Sequence, residues 1–195
     1  MKKSFTKEEL LTKLLELVDD KKDYLVLSLS KKGEFYAKNL ALKKGFIESD
    51  FLFLEKVKSP INKETTIAVI SETKDYILLE ELIDSFDISK DFVFNELERV
   101  YEEKILQDLY KFRQGESIIS LENKHVLLVD EVANTGITLL TAIKSAIEQN
   151  ALTISVAIPL IAKETAEYIE NFVDETFFVY EIDDFIEIDT YIKGE

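Results

Sequence analysis

Cysteine is absent from the 195 residues. Disulfides, thiolate catalysis and cysteine-ligated metals are thereby excluded, and the absence fits a cytoplasmic protein. Histidine occurs once, as His125. It stands ahead of a strand candidate, at the end opposite the polar loop that closes on Gly136, so it reads as a structural or surface residue rather than a general base. The glycine-rich patterns GxxxxGK[ST] and GxGxxG do not occur, which removes the Walker-loop and dinucleotide-fold readings. Positive charge is scarce: 24 Lys and Arg stand against 39 Asp and Glu, for a formal net charge of -15. Such a field repels polyanions, so neither nucleic acid nor an anionic membrane is expected as a partner. Long apolar runs are lacking as well. Met1-Lys2-Lys3 has the basic character of a signal peptide's start, yet Lys7, Glu8, Glu9, Lys13 and Glu16 interrupt the stretch behind it, so neither a signal sequence nor a membrane span is expected.

What is present, 46% hydrophobic and 32% charged residues, fits one globular domain over 1–195 with a sizeable core. No repeat, low-complexity stretch or Pro/Ser-rich linker divides it. Thr6-Lys7-Glu8-Glu9 reads as a capping box opening an amphipathic helix to about position 18, with Leu10, Leu14 and Leu17 inward. Residues 24–29 suit a strand, 34–44 a helix stopped by Gly45, and 51–57 a second strand. Residues 65–71 and 76–79 predict a hairpin around the polar stretch 72–75. Residues 89–113 predict one long helix, with Val93, Leu97, Val100, Tyr101, Ile105, Leu109 and Phe112 at steps of three and four and Gly115 as its stop. Hairpin and long helix together form an insertion at about 59–120. A strand at 153–158, a helix at 163–172 and a strand at 176–180 complete the alternation. This order predicts an α/β fold, a doubly wound, mostly parallel sheet flanked by helices.

Residues 125–140, HVLLVDEVANTGITLL, are the most informative run. Val126 to Val129 are continuously apolar, as in a strand buried on both faces. Asp130 and Glu131 mark its carboxyl end, Val132-Ala133-Asn134-Thr135-Gly136 has the composition of a turn, and a helix over 137–149 follows. Ligands of open α/β sheets collect at this edge. Gly136 permits positive φ and close approach, while the hydroxyls of Thr135 and Thr138 and the free N–H groups of the first helical turn can bond phosphate oxygens. The turn therefore suits one anionic group. Two carboxylates beside it would repel a bare phosphate, so they either accept hydrogen bonds from sugar hydroxyls or hold a hydrated Mg²⁺. The plainer alternative is that the acids merely end a strand and Asn134 or Thr135 caps a helix.

The stretch VLLVDEVANTGITL resembles the phosphoribosyl pyrophosphate signature of type I phosphoribosyltransferases. The resemblance implies that Asp130 and Glu131 bind the ribose hydroxyls, and that Ala133, Asn134, Thr135, Gly136, Ile137 and Thr138 cradle the 5′-phosphate. It runs in order over nearly the full length, and narrows to bacterial members with a long charged helix before the signature. Where those chains have a Leu-Pro-Arg-Gly-Gly pyrophosphate loop, this one has Leu29-Ser30-Lys31-Lys32-Gly33. Ser30, Lys31, Lys32 and Gly33 are thus the implied pyrophosphate contacts, without the proline and with one glycine fewer. If the position of Lys32 needs φ > 0, lysine there costs roughly 1 kcal/mol or more. The family's Arg-Lys corresponds to Glu55-Lys56, and its Asn-Pro-Glu to Asn62-Lys63-Glu64.

The resemblance further implies Mg²⁺, contacted by Asp130 and Glu131 only indirectly through substrate or water. The negative field of the chain points the same way, since a diphosphate needs its charge neutralised. Asp130, Glu131, Lys31 and Lys56 are the implied catalytic set, acting electrostatically on departing pyrophosphate and an oxocarbenium-like ribose. The acceptor is expected to be nucleobase-like. Relatives specific for 6-oxopurines carry aspartate where Asn134 stands, which disfavours hypoxanthine and guanine. Tyr180, Phe185 and Tyr191 are candidates for a hood over a base, or simply core. Lys31 and Lys32 equally suit a solvated turn, and Lys56 an exposed lysine. Type I relatives commonly form homodimers. The opposing reading is a non-catalytic module that keeps the 5′-phosphate pocket, for phosphoribosyl pyrophosphate or a nucleoside 5′-monophosphate, with a pyrophosphate loop that has decayed.

Overall fold

Continuously apolar strands divide their side chains between two helical layers by simple alternation. In the computed structural model, which describes residues 4–183 and 191–192, β1 (Tyr24–Ser28) is buried throughout. Leu25 and Leu27 join one core cluster while Tyr24 and Val26 join the other. Strand β6 (His125–Val129) does the same with Val126 and Leu128 against Leu127 and Val129. The first layer contains α6 (Ile137–Glu148) and α7 (Lys163–Ile169), and the second contains α1 (Lys7–Leu17) and α2 (Gly33–Lys44). A strand covered on both faces is the reason these runs read as apolar rather than alternating.

The main sheet has the order β2 (Glu48–Phe51), β1, β6, β8 (Thr153–Ala162), with β9 (Glu175–Ile182) on the far side of β8, and all pairs are parallel. The expected strand at 153–158 continues to Ala162 because its second half gains a further partner. There the two-residue β7 (Val132–Ala133), expected as part of a turn, pairs with Leu160 and Ile161. The capping box of α1 forms as anticipated: Glu9 N donates to Thr6 Oγ1 at 3.1 Å, and Thr6 N to Glu9 Oε2 at 2.8 Å. Gly45, at φ 70°, ends α2.

The expected strand at 51–57 is two strands. Phe51 ends β2 beside β1, and β3 (Leu54–Lys58) pairs antiparallel with β4 (Thr66–Ser71), which pairs with β5 (Tyr76–Leu78). The sequence FLFLEKV offers no break, because the change is one of hydrogen-bonding partner: Leu52 N still donates to Ser28 O, whereas Phe53 N donates to the Glu72 carboxylate. The small sheet thus begins at Leu54, ahead of position 59. It packs against α3 (Glu80–Ser85), which the sequence pattern did not reveal, and α4 (Lys90–Val100). The long helix does run on to Arg113, but through a five-residue π-helical segment, Tyr101–Ile105, before α5 (Leu106–Arg113). One extra residue per turn there keeps Val93, Leu97, Val100, Ile105 and Leu109 on the core of the insertion. Gln114 and Gly115 follow at φ 54° and 85° and end it.

Candidate functional site

The carboxyl ends of β1, β2 and β6 open into a cavity of about 1020 Å³, reached by Ile158 of β8 and closed on its other side by the insertion. It brings together Ser30, Lys31 and Lys32 after β1, Lys56 on β3, and Asp130, Glu131, Ala133, Asn134, Thr135, Gly136, Ile137 and Thr138 after β6. Of the residues expected to contact phosphate, ribose or pyrophosphate, Gly33 alone does not line it. Its place is beneath: a Cβ at Gly33 would stand 2.8 Å from Asp130 Cα and 3.0 Å from both Asp130 Oδ1 and Val129 O. Glycine here lets the first turn of α2 rest on the end of β6, which is how the two loops meet.

The loop after β1 is a helical turn. Lys32 lies at φ -74°, ψ -38°, so the strain that lysine would meet in a left-handed loop does not arise. Serines hold the turn: Ser28 Oγ donates to Ser30 O at 2.9 Å, and Gly33 N donates to Ser30 Oγ at 2.9 Å. Ser30 Oγ in turn donates to Asp130 Oδ1.

The two acids sit differently. Asp130 is half-buried at the cavity floor, and its Oδ1 also accepts from Glu131 N at 2.7 Å. Burial pushes its carboxyl above the ordinary 3.8, against the Ser30 and Glu131 hydrogen bonds and the charges of Lys56 and Lys32. Lys56, exposed on the insertion, thus acts on Asp130 across the cleft. Glu131 borders the cavity with only 1% of its surface exposed, and its Oε2 lies 3.9 Å from Lys32 Nζ.

The turn from β7 into α6 depends on α7. Gly136 is at φ 72°, and a Cβ on it would meet Thr165 Cγ2 at 2.7 Å; Thr165 Oγ1 also donates to Asn134 O. No side chain caps α6, whose first internal bond runs from Leu140 N to Gly136 O at 2.8 Å. The N–H groups ahead of it, on Ile137, Thr138 and Leu139, are therefore left for a ligand at the cavity wall.

Sequence patterns missed the opposite wall. Glu72, expected in a polar turn, is buried: it accepts from Phe53 N at 3.0 Å and from Arg113 NH2 at 2.6 Å, and Arg113 stacks 4.8 Å above the Phe53 ring. Burial raises the Glu72 carboxyl above its ordinary value even against Arg113. Phe53, Phe112, Asp108 and Arg113 all border the cavity, and only the helical spacing of 108 and 112 hinted at a shared face. His125 keeps a structural place, Nδ1 2.7 Å from Thr153 Oγ1 at the far end of β6. Of the two alternatives for Tyr180 and Tyr191, the structure takes the core: Tyr180, on β9, stacks on Phe5 at 4.2 Å, and Tyr191 is buried in the α1–α2 layer. Phe185 lies outside the described residues. Among the described residues no group of three or more His, Asp or Glu could hold a metal ion, and no helix is long and apolar enough to cross a membrane.

A six-stranded, mostly parallel sheet with helices on both faces and a loop of this form at its carboxyl edge defines the type I phosphoribosyltransferase-like fold. No family model matches the chain, and no curated protein matches it. Solved structures do. A Thermus thermophilus protein superposes with a TM-score of 0.76 at 20% identity, covering 99% of this chain and 92% of that one. A Neisseria gonorrhoeae protein solved with bound ppGpp gives 0.57 at 15% identity, covering 99% and 88%. The purine phosphoribosyltransferase of Pyrococcus horikoshii gives 0.51 at 17% identity, covering 96% and 99%. At these identities the likeness is one of fold.

Proposed function

We infer that this chain is a Mg²⁺-dependent phosphoribosyltransferase that binds phosphoribosyl pyrophosphate and transfers ribose 5-phosphate to a nucleobase-like acceptor, releasing pyrophosphate. The observation that carries the reading is one cavity joining an uncapped helix start, a floor carboxylate and lysines on both walls. The N–H groups of Ile137 and Thr138, with the Thr135 and Thr138 hydroxyls, take the 5′-phosphate in a loop held by Gly136 and Thr165. Asp130 and Glu131 orient the ribose, Asp130 from the open floor and Glu131 from beneath it. Ser30, Lys31, Lys32 and Gly33 form the pyrophosphate turn. Lys31 there and Lys56 opposite meet the charge that develops on pyrophosphate as the C1–O bond breaks.

The donor set fits Mg²⁺ as a hydrated ion carried by the substrate. The described residues provide no cage of three acidic ligands, and Asp130 offers one carboxylate, a usual complement for an ion that keeps most of its water and binds phosphate oxygens. When bound it neutralises the diphosphate, a task the net charge of -15 leaves to it.

A second reading, a nucleotide-binding module without turnover, is favoured by the turn after β1: Ser30 Oγ is spent on Asp130 and the turn is closed by its own hydrogen bonds. Calorimetric titration with phosphoribosyl pyrophosphate, a ribonucleoside 5′-monophosphate and ppGpp, each with and without Mg²⁺, separates the two. The enzyme reading expects Mg²⁺-dependent binding of phosphoribosyl pyrophosphate. Binding of nucleotides alone, indifferent to Mg²⁺, refutes it.

A further inference from the structure

The phosphate, ribose and pyrophosphate reading uses Lys56 on the insertion and leaves the rest of that wall without a task. Three near-parallel rings run along it: Phe51 and Phe53 lie 5.5 Å apart at 26°, Phe53 and Phe112 6.0 Å apart at 25°. Phe53 is buried between its neighbours, but Phe112, at the end of the row and bordering the cavity, is 53% exposed. A large ring left half in water beside a cavity is the unusual element here. One turn before it on α5 stands Asp108, which also borders the cavity; at i and i+4 the two share a helix face.

The remaining polar groups of that wall are engaged. Lys104 pairs with Glu55 at 2.9 Å, Lys58 donates to Glu64 O at 2.8 Å and to Thr66 Oγ1 at 2.9 Å, and Arg113 is held by Glu72. Half-buried Asp108 makes no hydrogen bond or ion pair among the described residues. Lys111 Nζ, 4.8 Å from the centroid of the Phe112 ring, marks that ring as an attractor of positively polarised groups.

We propose that Phe112 and Asp108 form the acceptor subsite, and that it takes a planar heteroaromatic ring bearing an amino or ring N–H donor, stacked on Phe112 with the donor on Asp108. The assignment rests on the proposed function for the position of the ribose.

Ribose 5-phosphate and the 5′-monophosphates of adenosine, guanosine and cytidine test this by calorimetry, since they differ only in the ring. The tightest of the three nucleotides is expected to bind at least tenfold more tightly than ribose 5-phosphate. Phe112→Ala, at an exposed position, removes about tenfold of that gain by loss of stacking, Asp108→Ala removes a similar share, and both leave ribose 5-phosphate within twofold. If ribose 5-phosphate binds but no ring adds affinity, or if the gain survives Phe112→Ala, the subsite assignment is wrong while the phosphate pocket stands. If ribose 5-phosphate itself fails to bind, the pocket reading fails and the subsite falls with it.

Discussion

Replacing Gly33 by alanine reverses an ordinary rule. Gly33 opens α2 without a positive φ, and at such positions alanine normally stabilises by roughly 0.4–1 kcal/mol, because the unfolded chain loses freedom. Here the new methyl would stand 2.8 Å from Asp130 Cα and 3.0 Å from Val129 O, both backbone atoms at the end of a strand packed on both faces. Neither can turn aside as a side chain would, so α2 must lift from β6; overpacking of this kind costs about 1–3 kcal/mol. The balance is a loss of about 1–2 kcal/mol, which for a chain of this length lowers Tm by about 2–8 °C. Because the third contact is Asp130 Oδ1, at 3.0 Å, the same shift moves the floor carboxylate and the Ser30 bond to it. Ribose 5-phosphate affinity is expected to fall by about tenfold, a displacement of several tenths of an ångström being enough. Calorimetric unfolding and ligand titration read both effects. Gly45→Ala is the control: at φ 70° with nothing within 4 Å of its Cβ, it loses about 1 kcal/mol to strain alone and leaves ligand binding unchanged. An unchanged or higher Tm for Gly33→Ala would refute the close-approach argument.

Two further perturbations probe the charges. Burial raises the Asp130 carboxyl above the ordinary 3.8, so its ionised form costs the folded state stability, and that cost is absent at low pH and grows as pH rises from the ordinary carboxylate range through the raised value. Asp130→Asn is therefore expected to unfold at higher temperature than the parent at pH 7, with the gap closing as pH falls below about 4, while ribose 5-phosphate binding weakens; a gap independent of pH would contradict the sign. Arg113→Met leaves Glu72, whose side chain is 3% exposed, buried without its cation, and is expected to cost about 3–5 kcal/mol in urea unfolding, with Glu72→Gln in the same chain restoring part of it. A loss under about 1 kcal/mol would show that water reaches Glu72 once the guanidinium is gone.

Local rules carried much of this molecule. The Thr6 box and the Gly45 stop act within one helical turn, and both stand where their residues placed them. Strands β1, β6 and β8 were legible because sheets covered on both faces demand unbroken apolar runs. The break inside FLFLEKV was not, since Phe53 changes partner without changing character. The π-helical segment at Tyr101–Ile105 was hidden for a similar reason: steps of three, four and five all look helical, and only the insertion core that Ile105 must reach selects the wider turn. Lys32 was read as a liability on the assumption of a left-handed loop, whereas the serine hydrogen bonds of Ser28 and Ser30 keep that turn in ordinary helical geometry.

By itself, then, the sequence determined the alternation of buried strands and helices and the loop that follows β6, because each depends on residues adjacent in the chain. Tertiary structure decided what stands around that loop. Thr165 arrives from α7 to close on Gly136, Lys56 from the insertion to act on Asp130, and Phe112 with Asp108 to form a second wall. Those meetings join residues about thirty to seventy-five positions apart, and no periodicity or propensity reports on them; they follow only once the layers pack and the insertion folds back over the edge of the sheet.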